Sequence, residues 1–149
     1  MNSSAAEKSA VPRQIGKSIL ALVAGMLTAI ILSLGTDLGL HAVGLTPPLG
    51  QPRSDPWLLL ATTYRAIYGV IASYIVARLA PNHPMQHALI GGLIGLVVSI
   101  AGAVATWNSG FGQHWYPLSL IVLALPPAWV GGRLREMQLR SQTTANSIS

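Results

Sequence analysis

The chain reads as an all-α polytopic membrane protein, a four-transmembrane-helix antiparallel bundle with both termini inside. Three observations predict this. Four charge-poor apolar segments, at about residues 18–37, 56–78, 87–107 and 115–133, each match the roughly 17–25 residues that cross a bilayer as a helix. Lys8, Arg13 and Lys17 precede the first segment, Arg78 follows the second, and Arg133, Arg135 and Arg140 follow the fourth. The loop after the first holds only Arg53 and the loop after the third holds no Lys or Arg. Because cytoplasmic loops carry the excess of Lys and Arg, this asymmetry places both termini in the cytoplasm. Trp57, Trp107, Trp115 and Tyr116 all fall at the other boundary, where amphipathic rings favour the headgroup level.

Composition agrees. The chain is 51% hydrophobic and 9% charged, with a mean hydropathy of +0.51, whereas soluble domains are about a quarter charged. The net charge of +5 is spread over span flanks rather than gathered in one stripe, so it predicts topology and anionic-lipid contact, not nucleic-acid binding. Cysteine is absent, which excludes disulfides, thiolate metal sites and cysteine nucleophiles. Four crossings are expected to occupy residues 15–136 as one unit and to leave no stretch within these residues for a soluble catalytic domain.

Residues 1–14 are small and polar and are expected to form a flexible cytoplasmic tail. The first helix is expected to start near Ile15 and run to about Asp37 or a little beyond. Its flank and apolar run also resemble a signal peptide with Ser33-Leu34-Gly35 as a small-residue cleavage site, but the run is longer than the usual h-region of about 7–15 residues. The following loop, rich in Gly and Pro from Gly39 to Pro56, argues against regular structure, and its apolar part suits the bilayer surface. Ser54-Asp55-Pro56 is a helix-start signature. Ala80-Pro81-Asn82-His83-Pro84 is a tight turn that makes the second and third helices antiparallel neighbours. Asn108-Ser109-Gly110-Phe111-Gly112 forms the next turn, and Pro117 falls in the first turn of the fourth helix, where proline is tolerated. Residues 137–149 form a polar tail, expected to be disordered.

Small residues recur every four positions on two helices: Ala21, Gly25, Ala29 and Ser33 on the first, and Gly91, Gly95, Ser99 and Ala103 on the third. Such stripes let backbones approach closely where lipid supplies no hydrophobic drive between helices. They serve either packing within one chain, the expectation here, or a seam between two chains. Pro126 and Pro127 remove the amide partners of the Val122 and Leu123 carbonyls, so a kink in helix four is expected.

Arg65 is the most informative single residue. It lies about 12 Å below the Trp57 boundary at 1.5 Å per residue, where a guanidinium is costly and faces the bundle interior or a wet cavity. Of the four acids, Asp37 is the one at the outer end of a span, and an Arg65–Asp37 ion pair between helices one and two is predicted. Direct reach of Arg65 to headgroup phosphates is the competing reading. Tyr64, Tyr68, Thr62 and Thr63 surround Arg65, and with Asp37 and His41 they form a candidate polar pocket for an anionic lipid or small anion, or else hydrogen-bonded helix packing.

No cofactor or metal is expected. His83 and His87 are spaced i, i+4 but have no carboxylate or cysteine nearby to complete a site, and haem needs axial ligands within the bundle. Ser109 and His114 lack an acid and a nucleophile-elbow setting. The hydropathy profile resembles that of uncharacterised small four-span inner-membrane proteins of bacteria. That resemblance covers the profile alone and implies multi-pass placement in a bacterial-type inner membrane without implying an activity. Small multidrug-type exporters also have four spans, but they couple through a mid-membrane Glu in helix one, and helix one here holds no acid before Asp37. The expected function is therefore a non-enzymatic structural or accessory subunit, with the bilayer and either a second copy or another membrane protein as partners. The alternative is an oligomeric transporter or channel for a small solute or lipid using the Arg65/Asp37 region.

Overall fold

In the computed structural model the described residues are 3–46, 51, 53–109 and 113–148. They form five helices: α1 (Ser3–Ala42), α2 (Asp55–Leu79), α3 (Pro84–Thr106), α4 (Trp115–Val122) and α5 (Leu125–Ile148), with no strand among them. Four helical segments are long and apolar enough to cross a membrane, the fourth being α4 and α5 taken together.

Local sequence explains the element ends. α1 runs past Asp37 to Ala42 and closes in a Schellman motif: Gly44 takes φ +71°, Leu45 N–H donates to the Leu40 carbonyl at 3.0 Å, and Gly44 N–H donates to the His41 carbonyl at 3.0 Å. α2 starts after Ser54 with Pro56 in its first turn, as the sequence predicts, although the Ser54 side chain makes no cap hydrogen bond. Its end at Ala80 is extended (φ −60°, ψ 133°), because Pro81 disfavours the helical conformation of the residue before it. His83 turns the chain into α3 through a left-handed conformation at φ 43°, and Pro84 follows at the first helical position.

Two expectations need correction. The tails at 1–14 and 137–149, expected to be flexible or disordered, are helical over 3–14 and 137–148. A nucleated helix adds one hydrogen bond for each residue it extends, and the flanking Ala, Glu, Lys, Met, Gln and Arg residues are good helix formers. Ser141, Thr143 and Thr144 even return their hydroxyls to carbonyls one turn earlier. The expected fourth helix is two helices. At the break Leu123 N–H still reaches the Ser119 carbonyl at 2.9 Å, but Ala124 N–H tightens onto Ile121 at 3.2 Å. Pro126 and Pro127 then occupy the first turn of α5, where their missing N–H groups cost nothing. The apolar loop after α1 and the turn before α4 lie partly outside the described residues, at 47–50, 52 and 110–112.

Side-chain pairs fix the topology. On α1 and α2, Gly25 meets Val76 while Asp37 meets Arg65, so the two helices are antiparallel. Gly92 meets Ala128 while Gly132 meets Met85, which makes α3 and α5 antiparallel. Ser18 reaches His87 and Leu22 reaches Gly91, so α1 and α3 run parallel. The result is an up-down-up-down bundle with α2 at its centre, packed against α1, α3, α4 and α5.

The interior is built of small side chains. Ala21, Ala77, Ala88 and Ala128 are almost wholly buried, and no large side chain is fully buried among the described residues. Large aliphatic residues such as Ile31, Leu38, Val97 and Val104 point outward. This inverts the soluble pattern, in which large apolar side chains fill the core. It is the arrangement expected where the surroundings are as apolar as leucine and helices gain by close backbone approach.

Candidate functional site

At one end of the bundle three helices converge on Arg65. Asp37, one turn before the end of α1, accepts from Arg65 Nη2 through Oδ2 at 2.8 Å and from the Tyr64 hydroxyl through Oδ1. The other terminal nitrogen, Nη1, donates to the Tyr116 hydroxyl on α4. The guanidinium carbon lies 5.7 Å from the Tyr116 ring centre and 5.9 Å from that of Tyr64, within cation–π range. Tyr64 and Tyr68 stand one turn apart on α2 with ring centres 5.6 Å apart, and the Tyr68 hydroxyl pairs with Thr36 Oγ1 at 2.7 Å. The Arg65 and Asp37 side chains keep 27% and 26% of their exposure. The charge pair thus lies at the rim of the bundle, clasping α1, α2 and α4 together.

The sequence anticipated Asp37, Tyr64 and Tyr68 beside Arg65 but missed Tyr116 and Thr36. Tyr116 looks like a belt aromatic because Trp115 precedes it at the boundary. Trp115 does stay at the rim, donating from Nε1 to Asp55 at 2.9 Å, while Tyr116 is only partly exposed and turned to Arg65. A 100° step between successive helical residues sends the two rings to different faces, and a partly buried guanidinium needs acceptors. That need was the available signal. His41, considered as a pocket residue, instead pairs with Thr46 at 3.2 Å on the exposed side. Thr63 returns its hydroxyl to Leu59, whereas Thr62 bonds Leu58 and reaches Ser119 of α4 at 3.3 Å, a second tie between these helices.

Below the clasp lies a cavity of about 480 Å³ between α1, α2, α3 and the α4–α5 break. The two small-residue stripes face it from opposite sides, and this revises the packing expectation. At the deeper end the stripes touch neighbours: a Cβ added at Gly25 would overlap Val76 and the Ala72 carbonyl, and one added at Gly91 would lie within 3.8 Å of Leu22 and Val76. Toward the clasp they do not meet. A Cβ at Gly95 would find nothing within 4 Å, and Ser33 and Ser99 line the cavity rather than a seam. The small stripe residues on α1 and α3, with Ala66, Gly69 and Ala72 among the α2 residues of the floor, leave a gap where larger residues would fill it. Pro127 seals the floor at 3.1 Å from the Cβ position of Gly69, so the kink prolines also shape this space.

The far end of the bundle carries separate polar ties. His87 Nε2 meets Ser18 at 2.8 Å, joining α1 and α3, and Tyr74 donates to Gln138 at 2.7 Å, joining α2 and α5. No group of three or more His, Asp or Glu residues is placed to hold a metal ion among the described residues. Every buried side-chain nitrogen or oxygen among the described residues has a partner.

Changing Tyr116 to Phe tests the clasp without removing its charges. Arg65 keeps Asp37 but loses one hydrogen bond, so unfolding in detergent is expected to become easier by about 1–2 kcal/mol. Circular dichroism against SDS concentration measures it, and an unchanged midpoint would show that α4 is not tied through this hydroxyl.

No protein-family model, curated protein or solved structure matches this chain. The functional reading therefore rests on the site and the fold.

Proposed function

We propose that this chain is a non-enzymatic integral protein of a bacterial-type inner membrane, a structural or accessory subunit with both termini in the cytoplasm. The observation that carries this reading is the internal closure of the Arg65 charge at the rim of the bundle. Arg65 is engaged by Asp37 and Tyr116, and both carboxylate oxygens of Asp37 are taken, so the pair is committed to holding helices together. An enzyme would keep a nucleophile or base free for substrate, with a second group to orient it. The large aliphatic exterior supports insertion, and the Lys and Arg flanks support the orientation.

The cavity supports a second reading, an oligomeric transporter or channel for a small solute or lipid working beside Arg65 and Asp37. The two readings separate in proteoliposomes, where a transporter moves its cargo across the membrane and an accessory subunit leaves every gradient standing. In mild detergent an accessory subunit is expected to extract with a second copy or another membrane protein at fixed stoichiometry, read by native mass spectrometry.

Topology has its own test. Fluorescent-protein fusions at Ser149 are expected to fluoresce and alkaline phosphatase fusions there to be inactive, with the reverse at Gln51. Active phosphatase at Ser149 would overturn the orientation.

A further inference from the structure

We infer that the cavity between α1 and α3 binds one acyl chain of a membrane glycerophospholipid from the outer leaflet, with the ester region of that lipid at Tyr68. The inference rests on the orientation proposed above but not on the accessory role.

Size and shape come first. The cavity follows α2 from Arg65 to Val76, about 16 Å at 1.5 Å per residue. It is an elongated slot, and its 480 Å³ lies within the roughly 300–1,000 Å³ of small-molecule sites. Its depth is walled mainly by Leu22, Met26, Ala29, Ile94 and Leu123, and the Ser73 hydroxyl on the α2 side falls short of the two to four polar partners a water needs. Such a lining favours an apolar occupant.

Access is lateral. α1 and α3 touch at Ser18–His87 and Leu22–Gly91, toward one end. Toward the other end Gly95 meets nothing, and Leu34 and Val98 stand exposed on either side of the gap. A chain already in the hydrocarbon enters sideways through that gap, so its headgroup need not leave the interface.

The polar end selects the chemistry. Asp37 neutralises Arg65, so the end of the slot offers no net charge to a free anion. This departs from the anionic-ligand expectation drawn from Arg65 alone. What remains is a hydroxyl donor. The Tyr68–Thr36 pair holds two hydroxyl hydrogens and spends one between its oxygens. With Thr36 donating to Tyr68, the Tyr68 hydroxyl is free to donate to an uncharged acceptor at the cavity, and an ester carbonyl is the acceptor that an acyl chain carries at its interfacial end.

The test uses the full chain in maltoside micelles, titrated with dioleoylphosphatidylethanolamine and, in a parallel arm, with free oleate, read by native mass spectrometry. The wild type is expected to hold one phospholipid and to bind oleate about tenfold more weakly. Gly95→Leu, which grows into open space, and Ala29→Leu from the opposite wall are each expected to weaken phospholipid binding by about tenfold or more while circular dichroism stays native. Tyr68→Phe is expected to weaken it by roughly threefold to tenfold, the loss of one hydrogen bond. Equal lipid retention by wild type and both filled variants would overturn the inference, as would tighter binding of oleate than of phospholipid. A dimer that either filling variant splits with no loss of lipid would also overturn it, by showing a second copy in the slot. Fusions that report the proposed orientation while lipid binding fails would sink this inference alone.

Discussion

Replacing Arg65 with Met is expected to lower the unfolding free energy in detergent by about 2–3 kcal/mol, among the largest effects of any single side chain here. The substitution leaves Asp37 with one oxygen bonded to Tyr64 and its charge uncompensated. Removing one partner of a buried pair costs about 3–5 kcal/mol, and the residual exposure of both side chains, 27% and 26%, reduces that figure through screening. Tyr116 loses its donor at the same time, so α4 loosens along with α1. The companion substitution Asp37→Asn decides the cause. If the pair ties the helices together, the double variant is less damaged than the sum of the singles, with a coupling of about 0.5–3 kcal/mol. Strictly additive losses would mean that Arg65 spends its charge on headgroup phosphates and that the clasp does not operate.

The second large effect comes from a residue without a side chain. A Cβ placed on Gly131 would lie 2.6 Å from the Val70 carbonyl oxygen, 2.7 Å from the Tyr74 nitrogen and 2.8 Å from Ser73 Cβ, all on α2. Two of these are backbone atoms, which cannot rotate aside, so α2 and α5 must move apart along their length. Gly131→Ala is expected to destabilise by about 3 kcal/mol, at the upper end of overpacking costs. Gly95→Ala is the matched control. With nothing within 4 Å of the new methyl, it should be neutral or stabilising by up to about 1 kcal/mol, because alanine favours helix over glycine. If both alanine variants unfold alike in SDS titrations, glycine packing does not hold α5 to α2.

The contrast between these glycines shows where sequence reading stops. Four-residue spacing singled out Gly25, Gly91 and Gly95 as equivalent members of two stripes. In the fold Gly25 is pressed against α2, Gly91 makes ordinary contact, and Gly95 opens on the cavity. Gly131 and Gly132 belong to neither stripe, yet they hold α5 close against α2 and α3. Periodicity reports which residues share a helix face. It carries no information about how far away the facing helix lies, because that distance is set by several interfaces at once. The proline pair behaved differently. A missing N–H is a local property, so the carbonyls it orphans were readable, and the break at Leu123–Ala124 lies one residue before the pair.

Hydropathy, the positions of Pro and Gly, and the cost of a lone deep guanidinium are properties of short stretches of chain. They determined the four apolar segments and the residue most in need of a partner. The tertiary structure alone decided that Tyr116 shares Arg65 with Asp37, that the stripes on α1 and α3 part to leave a slot, and that Tyr68 stands at its polar end. These depend on helix rotation and crossing, which arise when the small faces of α1, α3 and α5 all compete to pack on α2. No single segment contains the terms of that competition.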